Sequence, residues 1–407
     1  MGDPGQKVRI ENQKAATCCI LFATADWDEP YWTNKQHCAK TLASLGVKVL
    51  YIESIGLRSP KPDSPKDIKR ILGRIKKAAY SYLVGPSKGS EGVYVVSPLA
   101  IPGIGSSALR AKVNTWLLDI LVKASARKLR FRNALVWAYH PLIGSCLDMP
   151  QVSRALYHCV DDLSAVPGID AEYFRQAEVK FIKQVNCCYV TAPNLLKKCI
   201  PYNSSTQYLA NVVDIEHFSQ AEGSKKECPI PLRAIPEPRI AYHGVLSDFK
   251  VDFSLLIECA QMRPNWSFVV IGEEREGQRD PLVVKLRRLK NVYFLGYIPY
   301  KDMPSYLNNM NVGILPSLIN QYTKSMFPMK FYEYIATGLP VVSTPLDFTK
   351  SVGAGLLISE NAAGFVDALR VQLEKGRLSK KETEKIIGDN TWRARTLKML
   401  KSVEEST

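Results

Sequence analysis

The sequence predicts an α/β protein of two doubly wound domains in tandem, and three observations carry that expectation. The chain has 407 residues, long for one hydrophobic core and natural for two. Apolar runs of strand length alternate with helical patterns, the rhythm of parallel βα units whose strands are buried on both faces. That rhythm stops once, in the Pro-, Ser- and charge-rich stretch 219–238 (SQAEGSKKECPIPLRAIPEP), and then begins afresh. Such a stretch has the composition of a linker.

The first domain is expected over residues 1–218. CCILFATA (18–25) leads into a helical NKQHCAKTLASLG and then VKVLYIE (47–53). VYVVSP (93–98), NALVWAY (133–139), RALYHCV (154–160) and NCCYVTA (186–192) continue the series. The second domain, 239–378, repeats it with RIAYHGVL (239–246), SFVVIGE (267–273), VYFLGYI (292–298), VGILPS (312–317) and LPVVST (339–344). Helical patterns such as DFSLLIECAQM and DMPSYLNNM lie between them. The tail 379–407 is charged, helical and without a strand, so it is expected to pack across either domain. Doubly wound sheets bind ligands at the carboxyl ends of their strands. Two Rossmann-like domains facing a central cleft should therefore hold the site between them.

The apolar fraction of 46% is that of a globular protein. No stretch approaches the ~18 uncharged apolar residues that cross a bilayer. The N-terminus has no apolar core of a signal peptide, and Gln6 stands where myristoylation wants Ser or Thr. The ten cysteines are scattered, with adjacent pairs at Cys18-Cys19 and Cys187-Cys188 inside apolar runs. Free Cys behaves there as a small hydrophobe, and a reduced, cytoplasmic compartment fits.

The net charge of +15 is uneven. Residues 58–77 carry eight basic and two acidic side chains, and residues 110–132 carry seven and one. The second segment surrounds an apolar stripe of Trp116, Leu117, Ile120 and Leu121. Basic amphipathic helices contact anionic surfaces. Both segments are expected to lie on an anionic membrane face without spanning it, peripheral on the inner leaflet.

Three short patterns are set aside. GIGSSA (103–108) matches a dinucleotide fingerprint, but Pro98 and Pro102 separate it from strand 93–97, and no acidic residue closes a following strand. DWD (26–28) imitates a metal-binding D-x-D of single-domain sugar-nucleotide enzymes, an architecture this chain does not share. The five histidines have no metal-ligand spacing, and no metal site is expected.

The informative stretch is GYIPYKDMPSYLNNMNVGILPSLINQYTKSMFPMKFYEYIATGLPVVST (296–344). Within it Lys330 and Glu333 stand at i and i+3 of a helix that Gly338 ends just before a core strand. This stretch resembles the C-terminal domain of two-domain, GT-B-fold glycosyltransferases. More closely, it resembles the bacterial glycosyl transferase group 1 enzymes of capsule, exopolysaccharide and teichuronic-acid assembly. DWDEPYWTNKQHCAKTLASLGVKVLYIE (26–53) and LYHCVDDLSAVPG (156–168) extend the resemblance into the first half.

The resemblance implies a nucleotide-sugar-binding second domain and an acceptor-binding first domain, with a UDP- or GDP-sugar as donor and no cofactor. Chemistry agrees. A ribose diol donates to a carboxylate, and a diphosphate needs donors and positive charge. Glu333 is assigned to the first and Lys330 to the second. Ser325 and Thr323 are expected to add hydroxyl donors beside the helix N-terminus at 325–328, which favours an anion. Gly244 in YHGVLSDFKVDFSLL (242–256) lets backbone approach the diphosphate, and Lys250 reaches towards it. Tyr297, in the LGY turn, is placed at the nucleotide base. His243 is expected to be a packed histidine.

Many relatives carry a second glutamate eight positions before the one matching Glu333; here that position is Ser325. The anomeric outcome therefore stays open. An inverting enzyme needs a base for the acceptor hydroxyl. Asp161 and Asp162 follow RALYHCV, and Asp28 follows the first strand, so all three are candidates. His140 in WAYHPL is a candidate acceptor contact. The acceptor is expected to be a lipid-linked or growing saccharide. The competing readings are a sugar-nucleotide epimerase or hydrolase on the same fold, and a non-catalytic nucleotide-sugar-binding protein. No nucleic-acid-binding motif occurs.

Overall fold

The computed structural model describes residues 16–56, 65–101, 107–219, 228–274 and 280–406. Residues 58–64 of the first basic segment, and the glycines of GIGSSA, lie outside them. Two sheets organise the chain, and the apolar runs read from the sequence form most of their strands.

The first sheet contains β1 (Cys18–Phe22), β2 (Lys48–Ile52), β3 (Ser87–Ser90), β4 (Val93–Val96), β5 (Ala134–Ala138), β6 (Val152–Cys159), β7 (Cys187–Val190) and β8 (Thr206–Tyr208). Their order is β3-β4-β2-β1-β5-β6-β7-β8. The second contains β9 (Arg239–His243), β10 (Ser267–Ile271), β11 (Val292–Gly296), β12 (Val312–Leu315), β13 (Val341–Ser343) and β14 (Leu356–Ile358), in the order β11-β10-β9-β12-β13-β14. Every pairing is parallel except β3 with β4. Three strands do not stand out as apolar runs of strand length. β3 (SKGS) is a largely exposed edge, and β8 and β14 have three residues each. Edge strands need one good neighbour and little burial.

The first sheet is covered by α1 (Asn34–Ser44), α2 (Pro65–Leu83), α3 (Ala108–Lys128) and α4 (Ala171–Gln184), among others. The stripe expected on α3 divides. Leu118, Leu121 and Val122 enter the core, while Trp116 and Ile120 are exposed.

The stretch expected to be a linker is partly structured. Ile230–Arg233 is helical, and Leu232 and Ile235 are buried in the second domain's core. The tail also divides. Helix Lys380–Ile387 buries Ile387 in the second domain, whereas helix Trp392–Glu405 buries Met399 and Val403 against Cys19, Leu21 and Tyr189 of the first. The Tyr189 hydroxyl donates to the Met399 carbonyl at 3.2 Å. The chain thus crosses between the domains twice. All ten cysteines are unpaired thiols and nine are buried. Among the described residues no helix is long and apolar enough to cross a membrane.

Candidate active site

The helix Met329–Ala336 begins after Pro328, whose fixed φ suits the entry to a helix. It ends where Gly338 takes the left-handed conformation at φ +77°, and β13 follows. This helix lies over the carboxyl end of β9. The Tyr334 hydroxyl donates to the Ala241 carbonyl at 3.0 Å and accepts from the His243 amide at 3.1 Å. The lock fixes the rotation of the helix and turns Lys330 and Glu333 to the strand ends.

Lys330 Nζ donates to the Tyr242 hydroxyl at 3.2 Å and lies 4.3 Å over that ring. Its chain passes across Gly244, whose φ is +122°. A Cβ there would fall 2.4 Å from Lys330 Cε, so only glycine admits the lysine. Glu333 is buried, its side chain 9% exposed, with Oε2 3.2 Å from His243 Nε2. His243 is packed, as the sequence suggested, and it packs against the carboxylate. Burial, with Lys330 nearby, holds its imidazole well below the usual range. Burial pushes Glu333 up to about 7, Lys330 opposing. Burial, with the positive charge of Lys250, lowers Lys330 to about 7. The two side chains are thus poised near neutrality, unlike a surface ion pair.

The neighbouring loop corrects two assignments. Thr323 is fully buried, and its hydroxyl accepts from the Asn320 amide and donates to the Leu318 carbonyl. It caps a short helix and offers nothing to a phosphate. Ser325 is 1% exposed and accepts from Asn194 Nδ2 of the first domain at 2.8 Å. It is a contact between domains. Tyr297 likewise reaches across, its hydroxyl donating to the Pro30 carbonyl at 3.2 Å and its ring meeting Tyr31 edge-on. Lys250 lies 4.7 Å over the Tyr322 ring.

The first domain separates its candidates clearly. Asp162 accepts from the Ser164 amide and hydroxyl and pairs with Lys198 at 2.9 Å, so it is a capping residue in a buried network. Asp28 is exposed and pairs with Lys77 of α2 at 2.6 Å. His140 is completely buried, with Nδ1 accepting from the Leu142 amide at 3.2 Å, and burial lowers it to about 4. An acceptor does not reach it in this arrangement. Asp161 is half-buried at the end of β6, and no hydrogen bond engages its carboxylate among the described residues.

Lys35 was not anticipated. It sits in the first turn of α1, 7% exposed, with its ammonium 5.4 Å from the Tyr139 ring centroid. Burial lowers its pKa, Asp161 opposes this, and Lys250 of the other domain adds to it. Lys35, Lys250 and Lys330 therefore span the cleft between Asp161 and Glu333. A single lysine in a helical pattern carries no sequence signal, since only the tertiary fold shows which face meets the cleft.

An anion bound at Lys330 raises its pKa, so the Lys330 contribution to nucleotide affinity is full below pH 7 and falls as pH rises through 7 towards the bound value. Between pH 7 and 9 wild type should lose about tenfold in UDP affinity, and Lys330→Met should lose that dependence. Isothermal titration calorimetry of both proteins in two buffers measures it. Equal pH slopes would remove Lys330 from the phosphate.

Residues 237–375 match the family model described as glycosyl transferases group 1. Over 362 residues the chain is 29% identical to TuaH of Bacillus subtilis (strain 168), named for teichuronic acid biosynthesis as a glycosyltransferase, covering 83% of each chain. Among solved structures, sucrose-phosphate synthase from Thermosynechococcus elongatus superposes with a TM-score of 0.65 at 16% identity, covering 94% of this chain and 97% of that one. Anabaena HepE in complex with UDP and glucose gives 0.59 at 15% identity, covering 95% and 97%. The two-sheet arrangement is the GT-B fold. Residues 237–375 are thus a glycosyl transferases group 1 domain, and the chain is a nucleotide-sugar glycosyltransferase.

Proposed function

We propose that the chain transfers a sugar from a UDP-sugar to a lipid-linked or growing polysaccharide acceptor at the cytoplasmic face of the membrane. The observation that carries the donor half is the set formed by Glu333, Lys330 and Gly244, with Lys250 and Lys35 beside it. Glu333 accepts from the ribose diol, and the lysines offset charge on the leaving diphosphate as the glycosidic bond breaks. Three ammonium groups provide that charge without a divalent ion, so the reaction is proposed to be metal-independent. Asp161 accepts the acceptor hydroxyl proton. UDP rather than GDP is favoured by HepE, solved with UDP, and by an Escherichia coli trehalose-6-phosphate structure bound with UDP-2-fluoro glucose. The polysaccharide acceptor is favoured by the name of TuaH.

The membrane side rests on α2 and α3. Both expose apolar side chains, Ile75 and Leu83 on one and Leu109 and Trp116 on the other, among basic residues. Titrating the protein with UDP, GDP, CDP and ADP tests the donor: UDP should bind, and absence of binding by all four would overturn the reading. Anionic vesicles test the surface. Replacing Lys76 and Lys112, both exposed, by alanine should weaken vesicle binding about tenfold to thirtyfold, near 1 kcal/mol for each charge. Unchanged sedimentation with vesicles would remove the membrane from the proposal.

A further inference from the structure

The first domain contains a cavity of about 270 Å³ that the reaction as described does not use. Ile55, Leu99, Leu118, Leu142, Ile143 and Phe181 form much of its wall. Asn114, Thr115, Asp148, Tyr173, Lys180 and Gln184 add polar groups to the lining.

Its place in the fold is specific. Ile55 follows β2, Leu99 follows β4, and Leu142 and Ile143 follow β5, while α3 and α4 close the sides. The cavity therefore lies at the end of the sheet where Asp161 follows β6. Its wall also continues outward. Leu99 is 42% exposed, Ile101 beside it is exposed, and Leu109 and Trp116 stand out from α3. Asn114 on the cavity wall holds this margin, accepting from the Ile101 amide at 2.7 Å and donating to its carbonyl at 3.0 Å. The Tyr82 hydroxyl, donating to the Leu117 carbonyl at 3.0 Å, ties α2 to the same surface.

Charge selects the occupant. The cavity lining carries Lys180 and Asp148, and α3, which forms one wall, bears Arg110, Lys112 and Lys123 along its length. The acid on α3, Asp119, is engaged by the Ser145 amide and hydroxyl at 2.8 and 2.6 Å. A chamber whose lining residues are mostly apolar with a few polar ones, walled by a helix of net positive charge and opening beside exposed apolar side chains, suits a hydrocarbon chain with an anionic head.

We propose that this cavity binds the hydrocarbon chain of an anionic lipid-linked acceptor and so positions its saccharide at the cleft. This rests on the membrane-side acceptor proposed above. The remainder of the chain would stay in the bilayer on which α2 and α3 lie.

The test uses the full chain with decyl phosphate, hexyl phosphate and inorganic phosphate below micellar concentrations. Decyl phosphate should bind, with affinity falling up to about fourfold for each methylene removed, and inorganic phosphate should not compete. Ala111→Trp and Ala177→Trp, whose side chains line the cavity, should each weaken decyl phosphate at least tenfold while UDP affinity and vesicle binding persist. Affinity independent of chain length in wild type would overturn the proposal without any variant. Undiminished decyl phosphate binding in both folded variants would also overturn it. Failure of wild type to bind anionic vesicles, with chain-length dependence intact, would instead overturn the membrane reading and leave the cavity's assignment standing.

Discussion

Asp161→Asn is expected to lower kcat by about 10²–10⁴-fold, the usual contribution of a positioned general base, and to leave UDP affinity within about twofold. Three aspartates were candidates from the sequence, and their surroundings distinguish them. Asp162 is engaged by Ser164 and Lys198, and Asp28 by Lys77 at the exposed rim. Asp161 alone of the three has a half-buried carboxylate without a hydrogen bond among the described residues, and its charge acts on the buried Lys35. Asparagine keeps the shape and removes the basicity. Steady-state rates with a UDP-sugar, alongside calorimetry with UDP, separate chemistry from binding. An unchanged kcat would leave proton removal to another group.

Glu333→Ala is expected to weaken UDP about 10- to 100-fold, or 1–3 kcal/mol, the range for losing hydrogen bonds to a charged group. This carboxylate is buried against His243 with its pKa pushed up to about 7. A ribose diol supplies two donors and stabilises the ionised form. Glu333→Gln keeps the volume but loses the charge, and should recover only part of the affinity. Unchanged affinity in a folded Ala variant would end the ribose assignment.

The same shifts predict how the pair affects stability. Glu333 binds its proton more tightly folded than unfolded, so its contribution falls as pH rises from 4.5 to about 7. Lys330 binds its proton less tightly folded, so its contribution rises with pH between about 7 and 10.5. Near pH 7 both are at their least favourable, and UDP should raise the melting temperature there by binding the folded state alone.

The sequence by itself determined the repeated βα order and the break near residue 219. It also determined the helix carrying Lys330 and Glu333 ahead of β13. These follow from local physics: strands buried on both faces are continuous apolar runs, and a glycine stops a helix wherever it must turn left-handed. Strands β3 and β8 escaped because short edges need pairing more than hydrophobicity, and β14 because its apolar run is only three residues long. Only the tertiary structure could sort Asp161 from Asp162 and Asp28, or bury His140 and Thr323. A side chain's chemistry depends on its partners, and Lys198, Lys77 and Asn320 lie at sequence separations that no local pattern links to function. Lys35 makes the same point in reverse. It is an ordinary lysine in the sequence, and the packing of α1 against the cleft buries it where the charges of Asp161 on one domain and Lys250 on the other act on it.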